Sequence, residues 1–505
     1  MVSSSELFDL IKVLSKAEKR YFTLGAGLQD GEKSYLMLFR EVEKMEVYDE
    51  KKLKENLSKQ GFKIENLPVA KSHLANTILK SLRSFHEGNN PEQTVFSLIT
   101  GSEILKKKGL YKQSLKQLVK AKQLAQKFEL HSYLFEILDR EVFINFNMMV
   151  KFEEGVLQGL FDEIDTLKKK VQREMEMKVL TNRMLLILQT KPFKHPATVN
   201  AVNEIMQELN ARELDETDTF FSKLYYFFTF AMVKRSQSDF ASVNLFYLKI
   251  LELWDRHPNL REIHRRPYKV YITNYLNSCH TLGNYEPFGY WWNKYKSMTD
   301  TNFDEEFGSF KDLSQTGLLY LLNTGQFKQA LDLAYEIEKG LIKYRHGLNK
   351  ARETTLRFNV FITLFINEKF SKALEWLQSM SLDDKIEAWA DIRSLARIMR
   401  IIVHYELGHT RIIDSLRTSV YRKLKKEEQL HEFERTILDH IRMLEAAVTK
   451  SEVKRLWKEL FQRLNGLGEK YGWNKIPGLE EIAIWAESKV LNRSYLKLME
   501  EKKQR

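Results

Sequence analysis

Three groups of cationic side chains carry the chemistry this chain can offer a partner. Arg393, Arg397, Arg400 and His404 follow one another at spacings of 4, 3 and 4, which places them on one helix face. Guanidinium groups arranged in this way grip carboxylates or phosphates through paired N–H bonds. The acids nearest in sequence are Asp383, Asp384, Glu387 and Asp391, and only the last two are helically close. Arg261, Arg265, Arg266 and Lys269, with His264 among them, form a second cluster suited to an anion. The third group lies between Ile104 and Phe128, which encloses eight lysines and no acid. Lys112, Lys116 and Lys120 form an i, i+4 row there, opposite an apolar face, so the row is displayed to solvent or to a partner.

Covalent and metal chemistry find little support. Gly466-Leu467-Gly468-Glu469-Lys470 lacks the spacing and the Gly-Lys-Ser/Thr ending of a phosphate-cradling loop. There is no His-Glu-x-x-His, no paired cysteine and no Gly-x-Ser-x-Gly elbow. Cys279, the single cysteine, adjoins His280, but consecutive helical residues point in different directions. A small buried core residue is the better expectation for it. His257 and His264 are seven residues apart on a stretch interrupted by proline, with no third ligand in the pattern. The sequence therefore nominates no catalytic, cofactor-binding or metal-binding residue, and a non-enzyme is expected.

The elements that must position the basic groups are helices in a repeating arrangement. At 505 residues the chain exceeds the ~250–300 at which single cores stop growing, so it is several domains or a solenoid. No Gly/Ser-rich linker divides it and no proline occurs between Pro287 and Pro477, which favours a continuous stack. The composition, 43% hydrophobic and 29% charged, is that of an ordered chain. A formal net charge of +12 permits anionic partners without requiring them. Met1-Val2-Ser3-Ser4-Ser5-Glu6 has no basic start or apolar signal core, and no apolar run approaches the ~20 residues of a membrane span. A cytoplasmic protein is the expectation.

The repeat is clearest at Gly325-Gln326-Phe327-Lys328-Gln329-Ala330-Leu331 and Glu368-Lys369-Phe370-Ser371-Lys372-Ala373-Leu374. Each copy is a tight turn, an aromatic, a small residue three places on, and an amphipathic run. The same signal recurs at Tyr111, Phe152, Phe240, Tyr285 and Thr410. The successive intervals from Tyr111 are 41, 88, 45, 42, 43 and 40, and the 88 reads as two repeats with a poor copy at Phe193. Helical hairpins stacked at this interval bury faces that one hairpin cannot. Phe327, Ala330, Phe370 and Ala373 are expected to be buried, and the fold to be an all-α, right-handed α-solenoid.

Gly325, Phe327 and Ala330, with the preceding Leu318 and Leu321, resemble the turn and flanking helices of a tetratricopeptide repeat. The resemblance is strongest over 313–378 and looser over ~350 residues; the period of ~42 against that family's 34 implies longer helices. It implies a scaffold or binding role more often than catalysis, and none of the family's peptide-contact positions is carried over. Counted back from Gly408 in that register, Arg397, Arg400 and His404 take packing positions. The helix's own apolar set, Trp389, Ile392, Leu395, Met399 and Ile402, puts them outside instead, and the expectation here follows the apolar set.

Both ends depart from the repeat. Residues 1–90 read as an N-terminal helical cap or bundle, with a capping box at Ser15 and Glu18 and a helix cap at Asp49. Lys71, His73, Asn76, Lys80 and Arg83 suggest a DNA-reading helix, but the turn over 61–66 is longer than the ~3–4 residues of a helix-turn-helix. Residues 91–447 form the repeat region and 448–505 the C-terminal capping helices, with Leu479, Ile482 and Trp485 on one apolar face. The expected function is a non-catalytic scaffold or adaptor. It binds a protein or peptide, of acidic character where Arg393, Arg397, Arg400 and His404 contribute. The alternative is a nucleic-acid-associated regulator using the N-terminal helices and the basic rows.

Overall fold

The computed structural model describes residues 4–27, 34–86, 90–148, 154–190, 196–345, 347–380 and 390–503, and these contain helices and no strand. The first five helices are α1 (Ser4–Val13), α2 (Lys16–Gly27), α3 (Ser34–Lys44), α4 (Glu50–Lys59) and α5 (Leu67–His86). Ser15 and Glu18 form the expected reciprocal cap. Glu18 accepts the Ser15 amide at 2.7 Å and Ser15 Oγ accepts the Glu18 amide at 3.2 Å. Asp49 caps α4 by accepting the Lys51 and Lys52 amides at 2.9 and 3.1 Å. Leu7, Ile11, Leu38, Phe39, Leu53, Leu57 and Leu74 share a core confined to these helices.

The chain divides into two compact units, one of residues 1–284 with 293–305 and the other of 285–292 with 306–505. The first continues through α6 (Pro91–Lys107), α7 (Tyr111–Lys127), α8 (His131–Met148), α9 (Glu154–Thr190) and α10 (Pro196–Asn210). Then come α11 (Phe220–Ser236), α12 (Phe240–Arg256), α13 (Pro258–Ile263) and α14 (Arg265–Leu282). Residues of both units occur in α15 (Glu286–Ser297) and α16 (Phe303–Asn323). The second unit holds α17 (Phe327–Lys343), α18 (Lys350–Ile366), α19 (Phe370–Ser379), α20 (Ala390–Glu406) and α21 (Thr410–Lys426). It ends with α22 (Glu432–Ala446), α23 (Lys450–Tyr471), α24 (Leu479–Leu491) and α25 (Tyr495–Lys503). Within each unit, helices pack chiefly on their neighbours in sequence, as α6 to α9 and α17 to α25 do.

A single backbone device makes the hairpin turns. Gly109, Ser238, Gly283, Gly325, Glu368 and Gly408 all have φ between 58° and 74°. The next amide in each case bonds the carbonyl five residues back, for example Gln326 to Leu321 at 2.8 Å and Lys369 to Leu364 at 2.9 Å. This is the Schellman closure, which satisfies helix-end carbonyls and reverses the chain. Glycine takes the left-handed conformation freely, whereas Ser238 and Glu368 adopt it at a cost of roughly 1 kcal/mol.

The residue three places after each of Tyr111, Phe240, Tyr285, Phe327, Phe370 and Thr410 is the buried one: Ser114, Val243, Phe288, Ala330, Ala373 and Ile413 are all closed off from solvent. The aromatic is less constant. Phe327 is buried as expected, but Tyr111 and Phe370 are half-buried and Phe240 is 37% exposed. The reason is positional. The aromatic opens the helix at the hairpin tip, while the residue one turn later faces the partner helix. The stretch read as two repeats also differs. One 37-residue helix, α9, runs through it. Phe152 and Phe193 lie outside the described residues.

The C-terminal pair does more than close the last hairpin. Trp485 Nε1 and Lys489 Nζ both donate to the Glu406 carboxylate, at 2.6 and 2.7 Å. The Tyr495 amide bonds Glu368 at 2.8 Å, and the Tyr495 ring sits 5.4 Å from Phe365. Lys503 packs against the turn at Gly325. α24 and α25 thus reach back along three successive hairpin turns.

Candidate binding surfaces

The face of α20 that carries Arg393, Arg397, Arg400 and His404 is not one open stripe. Arg393 is 6% exposed and His404 4% exposed. Arg397 is mostly covered and forms a two-pronged pair with Glu427 at 2.5 and 3.2 Å. Arg400 alone of the four is exposed. The cause is that α20 packs against α18, α19, α21 and α22, so Ile398, Ile401 and Val403 are buried as fully as Met399 and Ile402. The apolar set read from the sequence was only part of the buried surface, and the repeat register was the better guide for His404. Ser394 donates to the buried Glu434 at 3.2 Å, and His404 Nδ1 lies 2.9 Å from His409 Nδ1. Burial, followed by the Arg400 charge, holds the His404 imidazole below its ordinary pKa. Asp383, Asp384, Glu387 and Trp389 lie outside the described residues.

The second cluster is also turned inward. Arg261 pairs with Asp255 at 2.6 Å, Arg265 with Glu305 at 3.6 Å, and the fully buried Lys269 with Asp300. Lys269 further donates to the Met298 carbonyl at 3.2 Å. Arg266 is half-buried, and His264 sits edge-on to Phe221 at 5.4 Å. Instead of an open anion site, the described geometry is a set of internal ion pairs, because a buried cation needs a fixed counter-charge. Cys279 is buried, with the Asn244 amide nitrogen 3.2 Å from Sγ, and burial pushes its thiol pKa up. That suits a core residue.

A cleft that no sequence motif marks lies in the first unit. It has a volume near 520 Å³ and is bounded by the α7–α8 turn, α9, the loop before α11 and the start of α11. Glu129, with φ of 50°, lines it. Its carboxylate accepts the Phe220 amide at 2.9 and 3.2 Å, at the positive end of α11. Burial pushes the Glu129 pKa up, against the pull of nearby His131. His131 Nδ1 is 3.1 Å from Glu174 Oε2, and Thr219 donates to that same oxygen at 3.0 Å while capping α11 through the Ser222 amide. Asp218 is held by Arg173 at 3.0 Å. Lys170, Lys223 and His257 also line it, beside the apolar Leu134, Leu138 and Leu167.

The lining thus combines hydrogen-bond donors and acceptors, several of them held in place by Thr219, Asp218 and Glu174. Such a lining suits a main chain, which presents both kinds of group. Asp215-Glu216 lies shortly before α11, and Glu129 is the first acid after the lysine-rich stretch. No signal linked them, because they are brought together by folding across 91 residues.

No helix among the described residues is long and apolar enough to cross a membrane. No protein-family model matches the chain, and no curated protein matches it. Among solved structures, the chain is similar to the Rap conjugation gene regulator of the plasmid pLS20 in complex with the Phr* peptide. The identity is 12%, the match covers 63% of this chain and 96% of that chain, and the TM-score is 0.33.

Proposed function

We propose that this chain is a non-catalytic, cytoplasmic scaffold built as a right-handed stack of helical hairpins with a period of ~42 residues, and that it binds a protein or peptide partner. The observation that carries this reading is the cleft around Glu129. Its donors and acceptors are fixed in advance by Thr219, Asp218 and Glu174, so a bound main chain would meet groups already oriented. Arg400 adds one exposed cation on α20 that favours an acidic stretch of the partner. Arg393, Arg397 and His404 would support that helix from within.

The test is quantitative recovery of co-purifying proteins by the wild type and by a Glu129→Gln/Lys223→Glu variant. The double variant removes one acceptor and inverts one donor of the cleft. Recovery that falls severalfold while the helical circular dichroism is retained supports the reading. Undiminished recovery of every partner overturns the cleft as the site.

A further inference from the structure

One basic element is not spent inside the fold. Lys122 is tied to Glu141 and Glu163 at 2.9 and 2.6 Å, and Arg261, Arg265, Lys269, Lys294 and Arg397 each have an internal carboxylate. Lys112, Lys116, Lys120 and Lys127 on α7 differ. All four are exposed, no carboxylate among the described residues pairs with any of them, and α7 itself contains no acid. At 3.6 residues per turn the four fall within roughly 80° of arc, and at 1.5 Å per residue they extend over about 22 Å. The buried positions Ser114, Leu118, Ala121 and Ala125 lie on the opposite side, against the neighbouring helices.

We infer that this strip docks an acidic segment of a partner protein, one carrying carboxylates about one helical turn apart. The idea rests on the binding role proposed above and adds a second surface to it. Successive lysines four residues apart rise about 6 Å, which is the carboxylate spacing of an acidic helix with the same i, i+4 period. Val119, 43% exposed, lies within about 20° of the Lys112 line and supplies an apolar contact in the same strip. Nucleic acid fits less well. α7 is flanked by α6 and α8 and does not project as a groove-reading helix must. Its aromatic neighbours, half-buried Tyr111 and buried Phe128, do not interleave with the lysines as stacking platforms.

The experiment uses the full chain and two synthetic probes: a labelled helical peptide with glutamate at every fourth position, and a random-sequence DNA duplex. Binding is read by anisotropy at low and physiological salt, for the wild type, for Lys112→Glu/Lys116→Glu/Lys120→Glu, and for the milder triple change to glutamine. The wild type should bind the peptide more tightly than the duplex, and salt should weaken that binding. The glutamine variant should bind the peptide at least tenfold more weakly, and the glutamate variant more weakly still, with unchanged circular dichroism. Three outcomes overturn the inference: no peptide binding by the wild type, equal binding by the variants, or preferential binding of the duplex. The Glu129→Gln/Lys223→Glu variant should keep probe binding, so failure of the strip and failure of the cleft are read separately.

Discussion

At the residue scale, the side chain buried in each hairpin is the one a turn past the helix start, and in the two clearest repeats it is an alanine. Ala373 and Ala330 are fully buried, whereas Phe370 is half-buried and touches Phe365 edge-on at 5.5 Å. Ala373→Leu should therefore overpack the α18–α19 contact and cost about 1–3 kcal/mol. Phe370→Ala should cost less than the ~3–5 kcal/mol of a fully buried phenylalanine. Denaturant midpoints of the two variants check both figures, and a loss at Phe370 of about 3–5 kcal/mol would contradict its half-buried setting. The turn, the small residue and the helix start were legible because each is local. Whether the ring was covered was not, since that depends on helices distant in sequence. The same limit explains the arginines of α20. Spacing placed them on one face, but only the surrounding helices decide that Arg393 is buried and Arg400 is not.

At the element scale, the C-terminal pair braces the second unit by returning to earlier turns. Leu479, Ile482 and Trp485 were readable as an apolar face, and all three are buried. Their docking partners were not readable, because Glu406 and Glu368 lie about 80 to 126 residues upstream of Trp485 and Ser494. The buried Trp485 N–H depends on Glu406 as acceptor, and Lys489 depends on the same carboxylate. Glu406→Ala should lower stability by about 1–3 kcal/mol, the cost of leaving a buried donor unmatched. Glu406→Gln keeps an acceptor for the indole and should recover part of that loss. Thermal melting of the pair tests the brace, and equal melting temperatures for alanine and wild type would remove it. The cleft was the least legible feature of all. It is assembled from four separate stretches, and none of them carries a motif.

At the scale of the whole molecule, both units contain imidazoles that folding keeps neutral. Burial is the main cause of a lowered pKa at His264 and His280 in the first unit and at His404 and His440 in the second. His440 shows the mechanism. Its ring is wholly buried, Nδ1 is 2.8 Å from the Thr436 carbonyl oxygen, and Nε2 has no hydrogen-bond partner among the described residues. A second proton would place an unmatched N–H and a charge in the core. In the unfolded chain these groups titrate near 6.5, so as pH falls through that value the unfolded form binds protons that the folded form refuses. Stability is therefore complete above about pH 7 and is lost progressively as pH falls below 6.5. Glu129, Glu141 and Glu445 act in the opposite sense, since burial raises their pKa values and protonation relieves a buried charge. In the unfolded chain carboxyls titrate at about 4 and imidazoles at about 6.5, so between pH 7 and 6 the unfolded chain takes up its protons on histidine. His440→Phe and His264→Phe each remove one titrating group while keeping an aromatic in place. Urea midpoints at pH 7.5 and 6.0 should fall for the wild type and fall less for each variant. Equal pH losses in wild type and both variants would show that these imidazoles accept their protons without strain, and the neutral-core account would then be wrong.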